Sequence, residues 1–144
     1  MRKGETNCVV LWSKGLEQMK AWGLIFGIAL FGAIGTLSRY GLSQAAVWVC
    51  GPGYPWGTFV VNLSGCFLFG TLVGLFKTGT LPSSWETILL TGLLGGFTTF
   101  SAFAYENVVL LQQGRFVAFS LHCAGQTVLG LFAVLLGLVA VCRP

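Results

Sequence analysis

The sequence has very little charge. Only 8% of its 144 residues are Asp, Glu, Lys or Arg, whereas 55% are hydrophobic. A soluble globular domain carries charge on about a quarter of its residues, because its surface must face water. This chain lacks the side chains for such a surface, and its mean hydropathy of +0.82 is typical of a protein whose solvent is lipid. The scarcity of charge therefore excludes a soluble fold and predicts an all-α integral membrane protein.

Residues that carry enzyme chemistry are equally scarce. There is one histidine, His122, and the acidic side chains of Glu86 and Glu106 lie at the edges of apolar segments, so neither a catalytic triad nor a carboxylate pair can be assembled. The sequence has no Walker motif, and its five cysteines form no CxxC pair. Its basic residues form no clustered face for nucleic acid. We expect neither an enzyme, a cysteine metal site nor a nucleic-acid partner.

Four apolar segments are each long enough to cross about 30 Å of hydrocarbon, which takes roughly 20 helical residues. We predict membrane helices over residues 21–48, 57–76, 85–109 and 116–142, within a membrane domain 21–142. Links rich in glycine and proline separate the segments. Residues 1–20 are predicted to form a mobile or interfacial N-terminal tail.

The basic residues give a conditional orientation. Six of the eight lie on the side of the two termini, while Arg39 and Arg115 lie on the other, which favours a cytoplasmic N terminus. Four of those six belong to the tail. Without it the count is two against two, which sets no orientation and permits insertion in both directions.

Small and polar residues occupy the middle of the third segment, where lipid offers them no partner. Residues 95–103 read GGFTTFSAF, and glycine and threonine are poor helix formers. Non-helical backbone at this depth must be buried or must line a cavity or an ion site. We therefore expect the third helix to break within residues 95–101 and to form an ion site there. The alternative is an ordinary helix whose small residues serve packing.

Two other segments carry polar positions with two possible roles. Asn62 lies in the second segment, and His122, Gln126 and Gly130 follow one another at intervals of four on the fourth. Each amide or imidazole either joins two helices by a hydrogen bond or lines a water-filled path. In the path, the N–H donors of Asn62 would face an anion.

The aromatic and charged residues near these positions also fit an anion path. Phe100 and Phe103 are three apart and share a helix face, and the edge of a phenyl ring carries partial positive charge. Arg39 either reaches the lipid headgroups or concentrates anions at a pore mouth. Glu106 either caps its helix or pairs with a cation. Four short helices enclose little volume, so a homodimer is the natural way to build a pore.

Together these residues resemble the Fluc (CrcB) family of fluoride channels, over about residues 21–142. The matching stretches are residues 32–40, 57–65 and 95–103, with Glu106. The resemblance implies an antiparallel, dual-topology homodimer with two fluoride pathways, in the inner (plasma) membrane of a prokaryotic cell. It also implies passive export that lowers cytoplasmic fluoride.

The resemblance implies a role for each site residue. A structural sodium ion at the dimer centre is held by the backbone carbonyls of Gly95 and Thr98. The fluoride pore is lined by Asn62, Thr99, Phe100, Ser101 and Phe103, with a polar track at His122, Gln126 and Gly130 and a vestibule at Arg39. The track departs from the family, where Ser, Thr, Tyr or Asn is usual, and Ala102 stands where Thr or Ser is common.

A four-helix membrane protein has two other possible functions. A proton-coupled exporter of the small multidrug type needs a carboxylate deep inside a helix, and it predicts efflux that Glu106→Gln abolishes, without a selective fluoride current. A non-conducting assembly protein predicts no ion flux in liposomes.

Overall fold

The computed structural model describes the backbone of residues 3–141 and the side chains of residues 20–141. Every regular element in this part of the chain is helical. The α-helices are α1 (Lys3–Cys50), α2 (Trp56–Lys77), the single turn α3 (Gly95–Phe97), α4 (Phe100–Gln112) and α5 (Phe116–Val141). A 3₁₀ turn (Ser83–Trp85) and a π-helix (Ile88–Leu94) precede α3.

Four stretches are long and apolar enough to cross a membrane. They are Lys20–Cys50, Trp56–Lys77, Ser83–Gln112 and Phe116–Val141. The predicted number of long apolar helices, four, is therefore confirmed, and the chain is a multi-pass membrane protein. The backbone of α1 begins at Lys3, so it includes most of the predicted tail as well as the first span. Residues 1, 2 and 142, which belong to the predicted tail and fourth span, lie outside the described residues.

The predicted links end the helices through glycine. Gly79 follows α2 with φ of 71°, and Gly114 follows α4 with φ of 69°. Glycine adopts this left-handed conformation without the steric cost of a Cβ atom, and it commonly ends helices in this way. Both glycines therefore lie in links that were predicted between the apolar segments.

The third span is broken near its middle, between α3 and α4. Thr98 has φ −84° and ψ 159°, and Thr99 has φ −147° and ψ 117°, so both are extended. The break lies within the predicted residues 95–101 but is shorter, because Gly95 and Gly96 are helical and Ser101 belongs to α4. Gly96 serves packing instead: a Cβ atom there would lie 2.5 Å from the carbonyl oxygen of Gly32.

Close backbone contacts through glycine hold the spans together. At Gly35 of α1, an added Cβ atom would overlap the backbone of Leu93, and at Gly70 of α2 it would overlap the carbonyl group of Val134 on α5. Small residues allow membrane helices to approach in this way. The buried cluster of Val61, Leu94 and Phe97 lies where α2 meets the first half of the third span. This packing positions the break against α2.

A single chain leaves most of its apolar surface uncovered. Only 6% of the most apolar window of Lys20–Cys50 is buried inside the protein, and Trp48 and Phe100 are 87% and 78% exposed. Such surface is expected to face lipid or another protein chain.

Candidate functional site

Asn62 binds the broken backbone directly. Its Oδ1 accepts a hydrogen bond from the Thr99 N–H at 2.8 Å, and its Nδ2 donates to the Thr99 carbonyl oxygen at 3.0 Å. The second Nδ2 hydrogen is donated to Oε1 of Gln126 at 2.8 Å. Both N–H donors predicted to face an anion are thus used within the protein. Asn62 therefore joins α2, the break and α5.

The break also releases two carbonyl groups from the helix. In a continuous helix, the N–H of Thr99 would bond to the Gly95 carbonyl, and that of Ala102 to the Thr98 carbonyl. Here the first donor bonds to Asn62, and the second bonds to Oγ1 of Thr99 at 3.3 Å. The carbonyls of Gly95 and Thr98 are the two predicted sodium ligands, so the backbone fits that role. Among the described residues, no group of three His, Cys, Asp or Glu side chains could hold a metal ion.

A chain of hydrogen-bonding side chains continues from Asn62 across α5 to α4. Nε2 of Gln126 lies 2.9 Å from Nε2 of His122. That same imidazole nitrogen lies 3.3 Å from Oε2 of Glu106, and Oε1 of Glu106 accepts from the Thr58 hydroxyl at 2.7 Å. Thr58 and Asn62 share one face of α2, and His122 and Gln126 share one face of α5, because residues four apart are neighbours on a helix. Oε2 of Glu106 therefore faces the imidazole of His122.

The far side of His122 meets the link before α2. Its imidazole is fully buried, and Nδ1 lies 3.3 Å from the hydroxyl of Tyr54. Burial, and then the nearby carboxylate of Glu106, raise the pKa of Tyr54. The phenol therefore stays protonated at neutral pH and can donate to His122 or accept from it.

Two cavities of about 380 Å³ each meet at Thr99, which lines both. The first is lined by Asn62, Thr98, Phe100, Phe103 and Gln126, with Cys66 among its other residues. The second is lined by Arg39, Thr58, Ala102 and Glu106, with Tyr40 and Ser43 among the rest. We call them the phenylalanine cavity and the vestibule. Four of the five predicted pore residues thus line the phenylalanine cavity, Ser101 lines neither cavity, and Arg39 lines the vestibule.

The two predicted pore phenylalanines form a pair. The rings of Phe100 and Phe103 have centroids 5.7 Å apart, and that of Phe103 lies 5.5 Å from the His122 ring. In the vestibule, Nε of Arg39 is buried and has no hydrogen-bond partner among the described residues. An unpaired guanidinium donor of this kind can attract an anion.

Gly130 and Ser101 contribute less to the predicted track and pore than the sequence pattern suggested. Gly130 is buried against Cys66, whose Sγ would lie 3.4 Å from an added Cβ atom, so it supplies no polar side chain to the track. Ser101 is exposed in this chain, and its hydroxyl lies 3.3 Å from Oγ1 of Thr99.

Sequence reasoning missed Thr58 and Tyr54. Thr58 could have been found, because it precedes Asn62 by four residues on an apolar helix. Tyr54 gave no signal, since its contact with His122 arises from the fold of the link. The two side chains complete the surroundings of the His122–Glu106 pair.

Comparisons with known proteins show the family of the chain. A family model described as "CrcB-like protein, Camphor Resistance (CrcB)" matches residues 26–138. A fluoride-specific ion channel FluC of Nitrosococcus oceani is 46% identical over 81% of this chain and 94% of its own length. The FluC proteins of Solidesulfovibrio magneticus and Thermus thermophilus are 45% and 44% identical, over 77% and 76% of this chain and 90% and 88% of theirs. The chain belongs to the CrcB family.

Proposed function

We propose that this protein is a fluoride-selective ion channel that lets fluoride leave the cytoplasm passively and so lowers its cytoplasmic concentration. The observation that carries the proposal is the 46% identity to a fluoride-specific channel across 94% of that protein. The names of these relatives favour a channel over a proton-coupled exporter or a non-conducting assembly protein.

The physical demand on such a channel is to replace the water around a small, strongly hydrated anion. Selectivity then depends on pore width and on the hydrogen-bond donors that line it. The phenylalanine cavity supplies the ring edges of Phe100 and Phe103. It is also lined by Asn62, whose two N–H groups bond within the chain. Thr99 and Ser101 add hydroxyl groups at the break. The route we propose runs from the vestibule, where Arg39 attracts the anion, past Thr99 to the two phenylalanines.

A sodium ion at the break is part of the proposal. The carbonyls of Gly95 and Thr98 have lost their helical donors to Asn62 and Thr99, and hard cations prefer oxygen ligands of this kind. A second copy of the chain would double the number of carbonyls. The bound cation would add a fixed positive charge that favours anions nearby.

The homodimer is supported by exposed surface at the site itself. Phe100 is 78% exposed in the single chain, so another surface is needed to close the phenylalanine cavity. We propose an antiparallel, dual-topology arrangement in the inner membrane of a prokaryotic cell. The mass of the purified protein by light scattering, corrected for detergent, should equal two chains of 15.4 kDa. A mass of one chain would exclude the dimer.

The function is tested by efflux from liposomes that contain the purified full-length protein. Liposomes loaded with fluoride should release it when the membrane potential is cleared with an ionophore, while liposomes loaded with chloride should retain their anion. Protein-free liposomes give the background. Release of both anions at similar rates, or of neither, would show that the chain is not a fluoride-selective channel.

A further inference from the structure

The hydrogen bonds of Asn62 leave it no N–H for an anion. One Nδ2 hydrogen is donated to the Thr99 carbonyl and the other to Oε1 of Gln126. The bond to Thr99 is part of a two-point contact that holds the break. The bond to Gln126 is the one that can be exchanged without losing the backbone contact. Gln126 therefore decides whether Asn62 offers a donor to the phenylalanine cavity.

The orientation of Gln126 depends in turn on His122. Its Nε2 group can donate to Nε2 of His122, 2.9 Å away, only while that nitrogen carries no proton. Nδ1 of His122 is farther from the amide, at 3.4 Å, and also faces Tyr54. With His122 neutral and protonated on Nδ1, the amide is held with its oxygen towards Asn62.

The Glu106 carboxylate also contacts Nε2 of His122, and it requires the opposite protonation state of that nitrogen. Oε2 of Glu106 lies 3.3 Å from Nε2 of His122, and it is a buried oxygen without a hydrogen-bond donor among the described residues. An ionised carboxylate accepts hydrogen bonds only. It therefore needs a proton on Nε2, whereas Gln126 needs that nitrogen bare.

Protonation of His122 resolves this conflict in favour of Glu106. Both ring nitrogens then donate, Nε2–H bonds to Oε2 of Glu106, and the Gln126 N–H group faces a donor. The Gln126 amide turns over, which brings its N–H group towards Nδ2 of Asn62. Two donors cannot bond to each other, so one N–H of Asn62 is released into the phenylalanine cavity.

We propose that Gln126 is a positioning residue through which the protonation of His122 controls the anion-binding donor of Asn62. This proposal rests on the proposed function. The titratable groups in contact with His122 are Tyr54 from the link and Glu106 from α4. Arg39 of α1 lines the vestibule with Glu106, and Arg115 lines another cavity with Tyr54 and Glu106. Acidification favours the protonated imidazole, so fluoride efflux increases as the pH falls.

The first test measures selective fluoride efflux against pH. Wild-type efflux should rise about fivefold between about pH 8 and pH 5.5, which corresponds to the net free energy of about one hydrogen bond. Efflux from protein-free liposomes is subtracted at each pH, because fluoride also crosses the bilayer as hydrogen fluoride. Gln126→Met, which has no amide, and His122→Phe should lose the pH dependence. Ser120→Ala, an exposed position on the same helix, should keep it. Wild-type efflux that does not change with pH would overturn the proposal.

The second test follows the Asn62 side chain itself, by NMR of protein labelled with ¹⁵N-asparagine in micelles. The amide signal of Asn62, assigned from its loss in Asn62→Ala, should move with pH in the wild type and stay fixed in Gln126→Met. The amide of Asn107, which bonds to the Phe103 carbonyl at 2.8 Å, is the internal control and should stay fixed in both. An Asn62 signal that ignores pH, or that still moves in Gln126→Met, overturns the proposal.

The two tests separate this proposal from the channel function. A protein that moves no fluoride selectively, but whose Asn62 signal titrates through Gln126, keeps the positioning role and loses the function. A selective channel with constant efflux and a fixed Asn62 signal keeps the function and loses the positioning role.

Discussion

The two halves of the third span are held in different ways. The half before the break packs on α1 through glycine: Cβ atoms added at Gly92 and Gly96 would lie 3.0 Å and 2.5 Å from the carbonyl oxygens of Ile28 and Gly32. The half after the break, α4, has only Asn107 and Leu110 buried, and polar contacts through Thr99 and Glu106 attach it. Close packing therefore determines the position of the first half, and hydrogen bonds determine the position of the second half. Stability and ion flux should depend on different halves.

The largest expected effect comes from breaking the packed half. Gly35→Leu places a side chain on the backbone of Leu93 and Phe97, and overpacking of this kind costs about 3 kcal/mol or more. We expect little folded protein by size-exclusion chromatography and a lowered thermal midpoint by circular dichroism. Gly23→Leu is the control, because nothing lies within 4 Å of an added Cβ atom at Gly23. Equal thermal midpoints for the two variants would contradict the packing account.

Asn62→Ala acts at the junction of the two halves. It removes the three hydrogen bonds to Thr99 and Gln126 and leaves the Thr99 N–H without its acceptor, which costs about 2 kcal/mol of stability. It should also lower fluoride efflux about tenfold or more. The control is Asn107→Leu, which removes a buried amide lining neither of the two cavities and should leave efflux per folded protein unchanged. Wild-type efflux from Asn62→Ala would remove Asn62 from the pathway.

Phe100→Ile, in the second half of the third span, should lower fluoride efflux while leaving stability nearly unchanged. Phe100 is 78% exposed within its own chain, so its replacement should change the free energy of unfolding of a single chain by less than about 0.5 kcal/mol. Efflux should nevertheless fall strongly, because the ring lines the phenylalanine cavity. Phe132→Ile, at another phenylalanine with 60% exposure, should change neither. If both variants conduct like the wild type, Phe100 has no role in permeation.

Thr58→Val tests the smallest contact of the second half. The change keeps the shape of the side chain but removes the hydrogen bond to Oε1 of Glu106, at a cost of about 1 kcal/mol. The loosened Glu106 should reduce efflux by a few fold, less than Asn62→Ala does. A larger loss of efflux in Thr58→Val than in Asn62→Ala would reverse the ranking of the two contacts.

The spans and the break could be predicted because they depend on local chemistry. Apolar length located the four helices, and the poor helix formers around Thr98 and Thr99 located the break. Gly95 and Gly96 stayed helical because Gly96 is needed against Gly32 of α1, a contact that local propensity does not contain. The partners of Asn62 lie 37 and 64 residues away along the chain. Such pairings depend on tertiary packing, so the sequence identified Asn62 as unusual without revealing what it binds.

Conduction of fluoride to the exclusion of other halides is tested by the reversal potential of the current that the purified protein carries. The purified wild-type protein would be placed in a planar bilayer, with a fluoride gradient across it in one direction and a chloride gradient in the other. We expect a current that reverses at the equilibrium potential of fluoride. A current that reverses at the chloride potential, or no current above that of the bare bilayer, would contradict it.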